Sequence, residues 1–90
     1  MTIKELCKLT DEKPKNEEQA KKIDDVTLFL LLFSVKNPGQ LSENEYFRGM
    51  KRGLALSGLI SIPFDETQIS LTSRGEYKFH ALENSLIVKY

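Results

Sequence analysis

Between Asn16 and Asn37 the apolar positions Ala20, Ile23, Val26, Leu30 and Phe33 recur at three- and four-residue spacing, and Leu28, Phe29, Leu31 and Leu32 fill the other faces of the second half. A stripe of that period faces a core, and an element apolar nearly all round must be covered on several sides. Asn16 with Gln19 approximates a capping box, and Glu17 and Glu18 put negative charge where the helix macrodipole favours it. The pattern predicts one continuous helix over residues 16–36; a start only at Asp24 and Asp25 is the alternative. Asn37, Pro38 and Gly39 end it, because the residue before a proline is pushed out of the helical region and glycine permits the turn.

Upstream, Ile3, Leu6, Cys7 and Leu9 fall near helical spacing, which predicts a short amphipathic helix capped by Thr2. The run from Thr10 to Asn16 contains Pro14 and charges without an apolar anchor and reads as an exposed linker. Downstream, Ser42 and Glu45 form a capping box that opens a helix to about Ser57, with Phe47, Met50 and Leu54 on its core face. Gly49 and Gly53 lie one turn apart in it. Each costs about 1 kcal/mol relative to alanine, so close approach of another backbone is the expected compensation. Gly58 stops that helix, Leu59, Ile60 and Ile62 begin a strand, and Pro63 confines the strand to an edge or ends it. Residues 64–67 form the turn, and Ile69 and Leu71 alternate with Gln68 and Ser70 in a return strand. Thr72 then caps a last helix in which Gly75, Phe79, Leu82 and Leu86 keep one seam. Asn84 and Ser85 can end it early, which leaves Leu86, Ile87 and Val88 as a strand or apolar tail able to pair with an edge or a second subunit.

Ninety residues, 40% hydrophobic and 29% charged, describe an ordinary small globular domain. Residues 1–15 read as a short helix and linker, and residues 16–90 as the domain proper. Thirteen basic side chains balance thirteen acidic ones, so any affinity for phosphate must come from locally sorted charge. Cys7 is the single cysteine, which excludes an intrachain disulfide and a cysteine-based zinc cage and points to a reducing, cytoplasmic setting. The charges at Lys4, Glu5 and Lys8 interrupt any apolar signal core, and the apolar tract Val26–Val35 is half the roughly 20 residues a membrane span needs. No membrane segment is expected.

The order Gly58-Leu59-Ile60, short hairpin, Leu71-Thr72-Ser73-Arg74-Gly75 resembles the end of many prokaryotic winged helix-turn-helix regulators, in which a Gly-Leu-Ile-like strand start follows the recognition helix and an LTxxG sequence leads into a C-terminal helix. Residues 26–82 carry the likeness. It implies an α+β winged helix, mostly helical, with a C-terminal two-stranded β-hairpin wing followed by a helix. It further implies a small DNA-binding protein, a dimeric transcriptional regulator. The sequence departs from the pattern between Gln40 and Gly58, where seventeen residues stand in place of two helices and a turn. Either Gly49 separates two very short helices, or the helices at residues 2–9 and 16–36 take the helix-turn-helix roles; the second arrangement keeps residues 42–57 as one element.

Within that frame Arg48, Lys51 and Arg52 form a cluster of positive charge off the Phe47, Met50, Leu54 stripe, where a winged helix meets DNA. Arg74 adds a candidate backbone contact. The hairpin tip carries Asp65 and Glu66, which phosphate repels and which suit a protein surface instead. The alternative function is therefore a non-catalytic interaction module, an adaptor or inhibitor, docking by Asp65 and Glu66 or by Phe29 and Leu32 of the apolar helix. Homodimerisation through that helix and the segment Leu86–Tyr90 is a further expectation. His80, the single histidine, sits between Glu76 and Glu83 without a second ligand nearby, so no metal is expected. No phosphate loop, assignable nucleophile or acid pair is present, so neither an enzyme nor a cofactor is expected.

Overall fold

The first helix, α1 (Ile3–Leu9), starts from a complete capping box: Thr2 Oγ1 accepts the Glu5 N–H at 3.2 Å and the Glu5 carboxylate reaches back to the Thr2 N–H. In the computed structural model, which describes residues 1–37, 53, 55, 57–62 and 69–90, α1 is followed by α2 (Glu17–Lys36). Asn16 caps α2 by accepting the Gln19 N–H at 2.8 Å, and Asp24 and Asp25 lie inside it without a break. β1 (Ile60–Ser61) pairs antiparallel with β2 (Ser70–Leu71) in the register Ile60 to Leu71 and Ser61 to Ser70. The last helix, α3 (Ser73–Ser85), begins directly behind β2. Among the described residues the architecture is α+β and mostly helical: three helices and one two-stranded antiparallel sheet.

The core forms around α2. Val26, Phe29, Leu30, Leu31 and Leu32 are at most 1% exposed, and Leu6 of α1, Ile60 of β1, and Phe79, Leu82 and Leu86 at the α3 seam are buried with them. Phe29 stacks on Phe79 with ring centroids 5.0 Å apart, which ties α2 to α3 through two large apolar surfaces. The two hydroxyls inside this apolar helix are satisfied locally, Thr27 donating to the Ile23 carbonyl at 2.8 Å and Ser34 to the Leu31 carbonyl at 2.7 Å. The all-round apolar character of α2 is thus absorbed within the chain. Its burial removes the ground on which dimerisation through this helix was expected. Among the described residues no helix is long and apolar enough to cross a membrane.

The C-terminal segment settles a second open point. α3 stops at Ser85, and the Ile87 N–H bonds the Asn84 carbonyl while the Val88 N–H bonds the Glu83 carbonyl, the paired bonds of a Schellman closure. That closure needs a left-handed residue, and Ile87 supplies it with φ of 51° although it is β-branched. The tail then pairs with the chain's own beginning: the Met1 amine donates to the Ile87 carbonyl at 2.6 Å, the Lys89 N–H donates to the Met1 carbonyl at 2.7 Å, and Thr2 and Lys89 form a parallel bridge. The edge offered by Leu86–Tyr90 is therefore met by residues 1 and 2 of the same chain.

Candidate functional site

The sequence likeness centres on the junction between Gly58 and Gly75, where three backbone segments meet. Gly53 and Ala55 are helical, with the Ser57 N–H bonded to the Gly53 carbonyl and the Gly58 N–H to the Ala55 carbonyl, each at 3.0 Å. Gly58 turns the chain out of this helix with φ of 77°, a conformation that costs glycine nothing. Thr72 then fastens the exit to the start of α3. Its N–H bonds the Leu59 carbonyl at 3.1 Å, its hydroxyl donates to the Gly58 carbonyl, and the same oxygen accepts the Gly75 N–H at 3.1 Å as the cap of α3. One side chain thereby serves two strand-entry and helix-entry groups at once.

Gly75 explains itself by space. A Cβ built there would lie 1.9 Å from the Leu59 carbonyl oxygen and 3.3 Å from Leu71 Cβ, so only glycine lets α3 pack onto the strand start. The same construction at Gly53 meets no atom within 4 Å. The close approach expected at Gly53 is thus realised at Gly75 instead; Gly49 lies outside the described residues.

The charges of α3 are sorted by this packing. Glu76 accepts from Lys36 Nζ at 3.0 Å, and the same ammonium stands 4.7 Å from the centroid of the Phe79 ring. His80 lies between two carboxylates, 3.6 Å from Glu76 and 3.5 Å from Glu83, while the Tyr90 hydroxyl donates to Glu83. Burial, together with the bond to Glu83 and its charge, pushes the Tyr90 phenol up to about 12. Both carboxylates of the helix are in this way gathered on its flank toward α2 and the C-terminal tail. Arg74, Tyr77 and Lys78 occupy positions three and four residues apart, all exposed, away from the buried seam. The guanidinium of Arg74 reaches back over the helix exit, with Nη1 3.6 Å from the place a Gly58 Cβ would take.

Of the residues singled out from the sequence, Arg74 is exposed at the base of the ribbon. Arg48, Lys51, Arg52, Asp65 and Glu66 lie outside the described residues. Phe29 and Leu32 are completely buried, packed in the core around α2, so neither presents a surface to a partner; an apolar stripe reads the same whether its cover comes from the chain itself or from another molecule. Cys7 is half-buried on α1, and burial followed by the Asp11 charge pushes its thiol up, which suits a packing residue rather than a reactive one. Sequence reasoning passed over Tyr77 and Lys78. The available signal was their helical spacing from Arg74, with Tyr77 opposite the Phe79 and Leu82 seam and Lys78 at its edge, combined with the absence of an acidic residue at 81 or 85.

No protein-family model matches the chain, and no curated protein or solved structure matches it either.

Proposed function

We propose that the chain is a small winged-helix DNA-binding regulator, non-catalytic, acting on duplex DNA in the cytoplasm. The observation that carries this reading is the junction at Gly58: a helix stop, an antiparallel ribbon, and an LTxxG entry into α3 locked together by Thr72 and Gly75. That is the order of parts in a winged helix, and it gives each residue of the likeness a physical task. In this reading Arg48, Lys51 and Arg52, ahead of the ribbon in sequence, supply DNA contacts, and Arg74 supplies one from behind it. With equal numbers of acidic and basic side chains, binding depends on that local sorting of charge. The test is retention on duplex DNA as a function of salt. Retention is expected to fall steeply with ionic strength and to vanish in an Arg48→Glu/Arg52→Glu variant; indifference to both rejects the reading.

A second reading is favoured by the exposure of Tyr77, 79% accessible on α3, and by the acidic pair Asp65 and Glu66 in the hairpin sequence. Exposed aromatic side chains are characteristic anchors of protein interfaces. Here the module docks on a protein, and co-purification of a partner that is lost on charge reversal at Asp65 and Glu66 distinguishes it from the first.

A further inference from the structure

The outer flank of α3 is exposed. Arg74, Lys78, Ala81 and Ser85 follow one another at helical spacing, all exposed, with Tyr77 beside them. Neither cation forms an ion pair among the described residues, whereas both acidic residues of the helix are engaged on the other flank by Lys36, His80 and Tyr90. Cations one turn apart on a helix repel one another, so their pairing here works against the helix unless an anion comes between them. Tyr77, between them in sequence, adds a hydroxyl and an exposed ring.

Resting on the DNA-binding reading above, we infer that Arg74, Tyr77 and Lys78 form a second contact surface on α3 that clasps the phosphate backbone of duplex DNA beside the ribbon. The charge complementarity is direct: two cations that pair with no carboxylate among the described residues face a polyanion, and Arg74 reaches over Gly58, five residues after Gly53 and close in sequence to Arg48, Lys51 and Arg52. The contact is sequence-independent. Backbone contacts of this kind set register and orientation, whereas base contacts select the site.

The test uses the full chain and a short labelled DNA duplex of mixed sequence, with affinity measured from about 50 to about 200 mM salt. Each phosphate contact contributes about 0.9 to the slope of log K against log salt, so Arg74→Gln/Lys78→Gln is expected to reduce the slope by about 2. Arg74→Lys/Lys78→Arg is expected to restore it, and Tyr77→Ala to lower affinity with the slope unchanged. Lys21→Gln/Lys22→Gln, on the exposed half of α2, serves as a charge-matched control and is expected to leave the slope as it was. If the unaltered chain binds the duplex and the Arg74/Lys78 variant keeps its slope, this inference is overturned while the DNA-binding reading stands. If the unaltered chain does not bind the duplex, both fall together, and retention on poly-glutamate lost in the Arg74/Lys78 variant would reassign the flank to an acidic protein.

Discussion

Gly75→Ala adds one methyl group at the point where α3 touches the start of β1, and its effect separates two physical terms of opposite sign. In an exposed helix interior the substitution is favourable by about 1 kcal/mol, because alanine loses less conformational freedom on folding. At Gly75 the new carbon would lie 1.9 Å from the Leu59 oxygen, which must retreat by about 1.1 Å merely to reach 3.0 Å. That oxygen accepts the Thr72 N–H, and Thr72 also holds the Gly58 carbonyl, so the retreat strains the bonds that join ribbon to helix. Overpacking typically costs about 1–3 kcal/mol, and weakening two hydrogen bonds adds about 1 kcal/mol for each. Less the propensity gain, the net is destabilisation by about 2–4 kcal/mol, or a fall in Tm of roughly 8–30 °C for a domain of this size. The assay is thermal and urea unfolding followed by circular dichroism, with Gly53→Ala alongside. Gly53 is helical, exposed and has no atom within 4 Å of its Cβ position, so there the methyl is expected to stabilise by about 0.5–1 kcal/mol. Opposite signs for one chemical change support the described approach of Leu59 to α3; a Gly75→Ala chain as stable as the parent would refute it.

Two further predictions concern the C-terminal closure. Ile87 holds φ of 51° with 70% of its surface exposed, so Ile87→Gly removes about 1–2 kcal/mol of left-handed strain and returns about 0.5–1 kcal/mol to the unfolded chain; a net gain of about 0.5–1 kcal/mol in urea unfolding is expected, and a loss would contradict the Schellman geometry. The Tyr90 phenol, pushed up to about 12 from the ordinary value near 10, ionises later in the folded chain than in the unfolded one. Its contribution to stability is accordingly complete below pH ~10 and lost as pH rises toward about 12, tempered by the solvent exposure of the residue. Ultraviolet titration in a Tyr46→Phe/Tyr77→Phe background is expected to show the late midpoint and Glu83→Gln to bring it down; a midpoint near 10 in the Glu83 form would exclude the bond.

Much of the local structure was legible in the residues alone, because near neighbours decide it. Thr2, Asn16 and Thr72 each precede a helical run and cap it through an N–H three residues on, and the twenty residues of α2 carry a 3.6-residue period past Asp24 and Asp25. The stop at Gly58 and the alternation of Gln68 to Leu71 likewise announced a ribbon, and its base pairs as expected. These features depend on spacing within one or two turns, which a linear pattern records.

What tertiary structure alone decided depends on partners distant along the chain. The Lys36 to Glu76 ion pair joins residues 40 apart and gives a carboxylate of α3 its partner on α2, which spacing along the helix cannot reveal. The contact of Met1 with Ile87 spans 86 positions and turns an apolar tail into the partner of the chain's first residues. Gly53 and Gly75 both sit in helices, yet only Gly75 has a backbone carbonyl against it. Phe29 and Leu32 belong to a stripe that calls for cover without saying whose, and the core around α2 provides it from within the chain. Periodicity states which side of an element avoids water; only the packed chain states what lies on that side.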